Sequence, residues 1–274
     1  MQADVLCAYY SSHGDTRHPV LFPASPEECF EMAMDAFDLA ETLQTPVFVL
    51  SDLDLGMNNW MADPFDYPTR PRKRGKVLDE VSIRELKDSW GRYKDVDGDG
   101  IPYRTLPGTP SPIAAYLTRG SGHNEDAQYS EKPRDYVANV DRLKRKLESA
   151  RTLVPKPALE DRAGAKDGLL AFGTSHYGTA EARDRLAREF GVPLDYLRLR
   201  ALPVGEEVRA WIDRHETIYV VEQNRDGQLR TILGDEFPGR AASFVSILQY
   251  DGLPLDATTV VDGVLAERAS RTRS

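Results

Sequence analysis

Apolar positions between Cys29 and Leu50 change their period once, and the change separates a helix from a strand. Cys29, Phe30, Ala33, Phe37, Ala40 and Leu43 recur at helical spacing, whereas Val47–Leu50 is a continuous apolar run. Ser25-Pro26-Glu27-Glu28 provides a capping Ser, a Pro in the first helical position and a Glu three residues after the cap. Thr45-Pro46 stops the helix, and the run that follows predicts a buried parallel strand. The charged positions Glu28, Glu31, Asp35, Asp38 and Glu41 form one narrow stripe, so the remaining helix surface is expected to pack against more than one neighbour. A parallel strand needs sheet neighbours, yet only 24 residues precede Ser25. Either the sheet is completed from later in the chain or part of its domain lies outside this chain, and the second is the expectation.

Residues 61–132 lose that periodicity and are rich in Pro, Gly, Arg and Asp, with one short helix expected over Val81–Trp90. A connection of this length is usually functional or lies over another subunit. A helix is expected from Pro133 to Thr152, with an inward stripe of Tyr136, Val140, Leu143, Leu147 and Ala150 and a solvated basic face of Arg142, Lys144, Arg145, Lys146 and Arg151. From Asp161 the period alternates between two and 3.6. Strands are expected at Gly168–Phe172, Leu194–Leu199, Thr217–Val221 and Phe244–Leu248. Helices are expected over Gly178–Phe190, with Leu186, Ala187 and Phe190 inward, and over Pro203–His215, with Val208, Trp211 and Ile212 inward. Another should begin within Gln228–Leu233, and Arg268–Ser274 reads as a frayed end. The chain is thus α/β, with divisions at 1–60, 61–160 and 161–274, the last a small doubly wound domain.

A net charge of −9 argues against a general nucleic-acid binder. No apolar run approaches the roughly 20 residues that cross a bilayer, and Met1-Gln2-Ala3-Asp4 lacks the features of a signal peptide. Cys7 and Cys29 are the only cysteines, too few for a disulfide framework or an iron–sulfur cluster, which suits a reducing cytoplasm.

Asp95-Val-Asp97-Gly-Asp99-Gly100 has the opening spacing of an EF-hand calcium loop, but Leu106 stands where the bidentate Glu belongs, so an acidic turn is expected. Gly98-Asp99-Gly100, with Asn124 downstream, has the spacing of a thiamine diphosphate–magnesium motif without the apolar strand before it. Gly173-Thr-Ser175-His176-Tyr-Gly178 lies where a hydrolase would place a nucleophilic Ser, and Asp213 and His215 would follow in order. Tyr177 occupies the position where that elbow needs Gly. Arg70-Pro-Arg72-Lys73-Arg74-Gly-Lys76 could meet a phosphate, an acidic partner or only water, and solvation is the expectation. Gly120-Ser-Gly122-His123-Asn124-Glu125 displays an imidazole, an amide and a carboxylate on a flexible frame, which suits either proton handling or an ordinary surface turn.

Taken in order, a series of phrases resembles the alpha subunit of 2-oxoacid:ferredoxin oxidoreductases, most closely the 2-oxoglutarate branch. They are Gln2-Ala-Asp-Val-Leu, Pro26-Glu-Glu-Cys-Phe, Thr45-Pro-Val-Phe-Val-Leu-Ser-Asp52, Leu55-Gly-Met-Asn-Asn-Trp60, Asp99-Gly-Ile-Pro-Tyr-Arg104 with Pro107-Gly-Thr109, Thr118-Arg-Gly-Ser-Gly-His-Asn-Glu125, and Val221-Glu-Gln-Asn-Arg-Asp-Gly-Gln228. The resemblance implies thiamine-diphosphate-dependent oxidative decarboxylation of a 2-oxoacid to acyl-coenzyme A, with electrons passed to ferredoxin. It implies a beta subunit that binds diphosphate and Mg2+, and a [4Fe-4S] cluster in a partner subunit. Residues 1–60 would then close a pyrimidine-binding-type domain, and 161–274 would be a transketolase-C-terminal-like domain. The family's Tyr-Pro-Ile-Thr-Pro segment and the carboxylate that contacts the aminopyrimidine would lie upstream of Met1, so the chain is expected to be amino-terminally truncated and inactive alone. His123, Asn124 and Glu125 are the substrate-side candidates. Two readings stand against this one: a serine hydrolase using Ser175, and a non-catalytic scaffold subunit.

Overall fold

Two sheets organise the computed structural model, which describes residues 2–12, 14–86, 90–116 and 120–272. The amino-terminal region supplies α1 (Val5–Tyr9), β1 (Val20–Leu21), α2 (Pro26–Leu43), β2 (Phe48–Val49) and α3 (Leu53–Met57). After it come α4 (Glu80–Leu86) and α5 (Pro133–Ala150). In the small sheet β1 lies centrally, with β2 parallel on one side and β6 (Ala201–Leu202) antiparallel on the other. β2 pairs with β1 alone, and β6, from far downstream, extends the sheet on the other side of β1, so a later part of the chain does contribute a strand to it. β2 is also less covered than a continuous apolar run suggests. It is an edge strand, with Phe48 half-buried and Val49 exposed.

The larger sheet runs β3 (Ala158–Glu160), β5 (Leu194–Leu199), β4 (Asp167–Phe172), β7 (Ile218–Glu222), β8 (Phe244–Leu248), parallel throughout except for β3 at one edge. Alternate residues of β4 face opposite layers, as strand geometry requires. Leu169 and Ala171 meet α6 (Ser175–Phe190) and α9 (Ala257–Thr272) through Ala182, Leu186, Val260 and Val264. Leu170 and Phe172 share a core with Trp211 and Ile212 of α7 (Glu206–Asp213) and with Leu229 and Leu233 of α8 (Gln228–Glu236). Val5 and Tyr9 of α1, together with Val20 and Phe22, belong to that same core. The amino-terminal segment thus completes one layer of the doubly wound sheet. Val208, Trp211 and Ile212 face inward as expected.

Other expectations shift. The helix after β4 begins at Ser175 rather than Gly178, and Phe190 is exposed. α9 went unread, and Arg268, expected in a frayed end, bonds Asp167 at 2.6 Å; Arg273 and Ser274 lie outside the described residues. So do Lys87–Ser89 of the short helix expected to reach Trp90. Among the described residues no helix is long and apolar enough to cross a membrane.

The acidic stripe of α2 is the largest departure, because it is covered by the chain's own basic strap. Arg70 pairs with Asp35 at 2.6 Å, the Lys73 amide donates to Asp38 at 3.2 Å, and Arg74 reaches Glu41 at 3.8 Å. Gly75 makes the approach possible: its φ is +68°, and a Cβ there would lie 2.7 Å from the Glu41 carbonyl oxygen. The basic cluster thus meets an internal acidic partner instead of water alone, while Phe37, expected inward, is 75% exposed.

Glu28 ties α2 to the large sheet. Its oxygens receive Arg198 Nη2 at 2.7 Å and Nη1 at 2.8 Å, and the Ala24 amide at 2.9 Å. Burial alone would raise its carboxyl, but the Arg198 and Ala24 bonds win and hold it below its ordinary 4.5. Glu28→Gln should therefore cost about 2 kcal/mol at neutral pH. The folded chain releases this proton more readily than the unfolded one, so the contribution is complete above the ordinary value and disappears as pH falls through the folded one. In urea denaturation, the gap between wild type and variant should close below pH 4.5.

Candidate functional site

A doubly wound sheet offers its ligand crevice at the carboxyl ends of the strands where the winding reverses, here β4 and β7. In this chain that crevice is filled from within. The Gln2 side-chain nitrogen donates to the Phe172 carbonyl and to Asp52 Oδ2, each at 3.1 Å. Asp52 Oδ2 also accepts from Thr174 N at 3.1 Å and Thr174 Oγ1 at 2.7 Å, while Oδ1 caps α3 through Leu55 N at 3.1 Å. Gln2 N donates to the Gln223 carbonyl at 3.0 Å. Only about 30 Å³ of cavity remains beside these groups.

Ser175 lies in this plug, fully buried. It donates to Gln2 Oε1 at 3.1 Å and accepts from Gln223 Nε2 at 3.2 Å. His215 is beside Gly168 at the opposite end of β4, about 20 Å away for six residues at roughly 3.3 Å each. It bonds Asp195 at 3.0 Å and the Trp211 carbonyl at 2.6 Å, not Asp213. The serine hydrolase reading is therefore corrected: Ser175 is sealed against Gln2 and Gln223, and among the described residues no base reaches it.

The acidic Asp95–Gly100 turn is likewise self-satisfied. Lys76 bonds Asp97 at 2.6 Å and Asp99 at 2.8 Å, and Arg145 bonds Asp95 at 2.8 Å. Burial alone would lower the Lys76 ammonium, but its bonds to Asp97 and Asp99 leave it raised. Asp99 Oδ1 also accepts from Ile101 N at 2.9 Å, and the Asn124 amide is spent on its own loop, accepting from Asp126 N at 3.1 Å and Gln128 N at 2.9 Å. Asp99 and Asn124 do not converge, so the pair does not fit a metal-bound diphosphate. Among the described residues no group of three His, Cys, Asp or Glu gathers for a metal.

The His123 loop opens instead onto a cavity of about 440 Å³ between α5, the end of α2 and the segment around Tyr93. Thr118 and Arg119, which precede the loop, lie outside the described residues. His123 is buried, stacked on Tyr93 with ring centroids 3.8 Å apart, and its carbonyl accepts from Asn139 Nδ2 at 2.7 Å. Its Nδ1 lies 2.8 Å from the Asn124 carbonyl, which can only accept, so Nδ1 carries the hydrogen and Nε2 keeps a lone pair. Burial lowers the His123 imidazole, with Arg142 and Arg92 adding to the effect against the Asn124 carbonyl, so a neutral ring is favoured. Asn124 and Glu125 line the adjoining surface groove of about 1020 Å³, where Glu125 is exposed and its carbonyl accepts from Tyr93 N at 2.8 Å.

Sequence reading missed the cavity's other walls. Arg142, expected on a solvated face, is buried, with its guanidinium 5.5 Å from the Tyr93 ring and donating to the Gly100 carbonyl at 3.2 Å. Lys146, one turn on, reaches toward the Gln44 carbonyl at 3.4 Å. Although Lys146 keeps some exposed area, burial first, then Arg142 and Arg92, pull its ammonium down to about 8. His18 across the cavity is lowered too, by burial and then by Lys146. The available signal was the spacing of Asn139, Arg142 and Lys146, which share one face of α5. The apolar stripe overshadowed it, although Tyr136 in that stripe is 49% exposed.

A family model described as pyruvate flavodoxin/ferredoxin oxidoreductase, thiamine diP-binding, matches residues 1–62. The 2-oxoacid:ferredoxin oxidoreductase 2 subunit alpha of Aeropyrum pernix is 30% identical over 270 residues, covering 96% of this chain and 40% of that protein. The 2-oxoglutarate synthase subunit KorA of Methanothermobacter thermautotrophicus is 30% identical over 227 residues, covering 81% of this chain and 57% of that subunit. In fold, the chain superposes on 2-oxoglutarate:ferredoxin oxidoreductase from Magnetococcus marinus, solved with 2-oxoglutarate, coenzyme A and succinyl-CoA bound, with TM-score 0.80 and 24% identity over 97% of this chain and 45% of that one. The chain is a homologue of oxidoreductase subunits. More particularly, its relatives are alpha subunits of 2-oxoacid:ferredoxin oxidoreductases, with 2-oxoglutarate synthase subunits among them, and it spans about 40% to 57% of their length.

Two outcomes follow from the packing. Asp52→Ala strands the Thr174 and Gln2 donors in the interior and should cost about 2–4 kcal/mol, read from the denaturant midpoint. Gly173→Ala should be comparably harmful, because φ is +56° and a Cβ would lie 2.8 Å from Gln2 Nε2. For Lys146 the sign is opposite. Between about pH 8 and its ordinary 10.5 the folded chain binds fewer protons than the unfolded one, so stability rises with pH across that window. Lys146→Met should remove this rise and add about 1–2 kcal/mol at pH 7, where the charge is otherwise confined beside Arg142, Arg92 and His18.

Proposed function

We propose that this chain is the alpha-subunit portion of a 2-oxoacid:ferredoxin oxidoreductase acting on 2-oxoglutarate. The observation that carries the reading is that likeness to alpha subunits extends over 96% of the chain, through both sheets and the segment between them. The reaction is oxidative decarboxylation to acyl-coenzyme A with electrons passed to ferredoxin. Thiamine diphosphate bound to the complex supplies the electron sink for that chemistry. Since Asp99 and Asn124 do not fit the diphosphate, its magnesium ligands and the [4Fe-4S] cluster are assigned to the beta subunit. The two cysteines here are isolated, Cys7 exposed and Cys29 half-buried, and suit no cluster.

This chain's own work is to form one wall of the pocket and to hold the partner. His123, Asn124 and Glu125 line the substrate side in this reading. His123 offers an acceptor nitrogen on a ring held neutral by burial, and Asn124 keeps the loop rigid. A partner face is supported by the exposed large apolar groups Phe37, Leu53, Met57, Met61 and Tyr67, of which Met61 is 97% and Tyr67 89% exposed. Such side chains favour contact with a second protein.

The test is reduction of a low-potential dye by the complex containing this chain and its beta subunit, dependent on 2-oxoglutarate and coenzyme A. Activity is expected, and His123→Ala should lower kcat/KM for the 2-oxoacid at least tenfold while assembly is retained. An assembled complex that is inert with every 2-oxoacid would overturn the enzymatic reading in favour of a scaffold subunit.

A further inference from the structure

Three cations line the 440 Å³ cavity together, Arg92, Arg142 and Lys146, and among the described residues no Asp or Glu lines it with them. Elsewhere the chain neutralises its bases closely: Arg70, Arg74, Lys76, Arg104, Arg145 and Arg198 all have carboxylate partners. In a chain of net charge −9, a trio without such partners among the described residues is conspicuous. The arrangement is also costly. Arg142 is 7% exposed, and its Nε has no hydrogen-bond partner; nor do Nε and Nη1 of Arg92 or Oε1 of Gln44. Arg92 and Arg142 both lie against the Tyr93 ring, at 4.9 and 5.5 Å, which fixes the two guanidiniums near each other. Like charges held together with unsatisfied donors are stable only if something offsets them. Hydroxyls of Ser12, Thr16, Thr45 and Ser121 complete a wall of further donors.

The geometry points to a binding site for a compact oxyanion of at least two negative charges, gripped by Arg92, Arg142 and Lys146. Guanidinium forks match the paired oxygens of phosphate and carboxylate groups alike, and an ammonium adds a point charge. Phosphate and dicarboxylate ligands therefore share the chemistry, and the cavity size suits a small molecule. The site deepens the proposed function at the cavity under His123 and rests on that reading for its dicarboxylate ligand, whereas its test reads binding without turnover, so the two can fail separately.

Isothermal titration of the chain with inorganic pyrophosphate, 2-oxoglutarate and acetate at low ionic strength tests it. At least one of the two multivalent anions should bind tenfold or more tighter than acetate. Tighter pyrophosphate binding would identify the site as one for a phosphate-bearing ligand, and tighter 2-oxoglutarate binding as one for a dicarboxylate. Lys146→Gln should weaken the preferred anion at least tenfold, as should Arg92→Gln at a half-buried position, with the fold of each variant checked by circular dichroism. Equal, weak binding of all three anions would overturn the site, and so would affinities unchanged in both folded variants.

Discussion

One buried carboxylate holds the two halves of this chain in register. Asp52 caps α3 with one oxygen and with the other collects Thr174 and Gln2 at the end of β4. Each of those donors would be stranded in the interior without it, so the two parts of the chain cannot shift against one another by even a hydrogen-bond length. The crevice that a doubly wound sheet ordinarily offers is occupied, and the open space lies instead along α5, under the His123 loop.

Charge is distributed on the same logic. The acidic face of α2 is covered by a strap carrying Arg70, Lys73 and Arg74, and the acidic Asp95–Gly100 turn is closed by Lys76 and Arg145. These pairs tie the described parts of a long segment with little regular structure to α2 and α5. Against that thrift, the cations of the α5 cavity stand out.

Where apolar period and strand length agreed, the sequence was a sound guide. β5 and β8 fall on their expected boundaries, and α7 buries Val208, Trp211 and Ile212 as its spacing required. The two-residue strands β1 and β6 carry too few side chains to make a period, so the small sheet could not be read in advance. Helix faces were misjudged where polar residues turned inward. Arg142 looks like a solvent residue until Tyr93 and Gly100 from another segment supply its ring and carbonyl partners. Ser175 failed for the converse reason: its local setting resembled an elbow, and only Gln2, 173 positions earlier, shows that it is sealed. The His123 loop was legible as polar and Gly-rich, but the cavity beneath it belongs to segments distant in sequence.

Val5, Tyr9 and Phe22 do more than fill space beneath β4. They serve as the outer lining of a sheet whose strands are encoded some 150 residues later. Dividing the gene anywhere in the intervening stretch would release a downstream half with a bare greasy flank, sticky in isolation. The two ends of the polypeptide, far apart in the gene, are therefore bound to one another as a single folding unit.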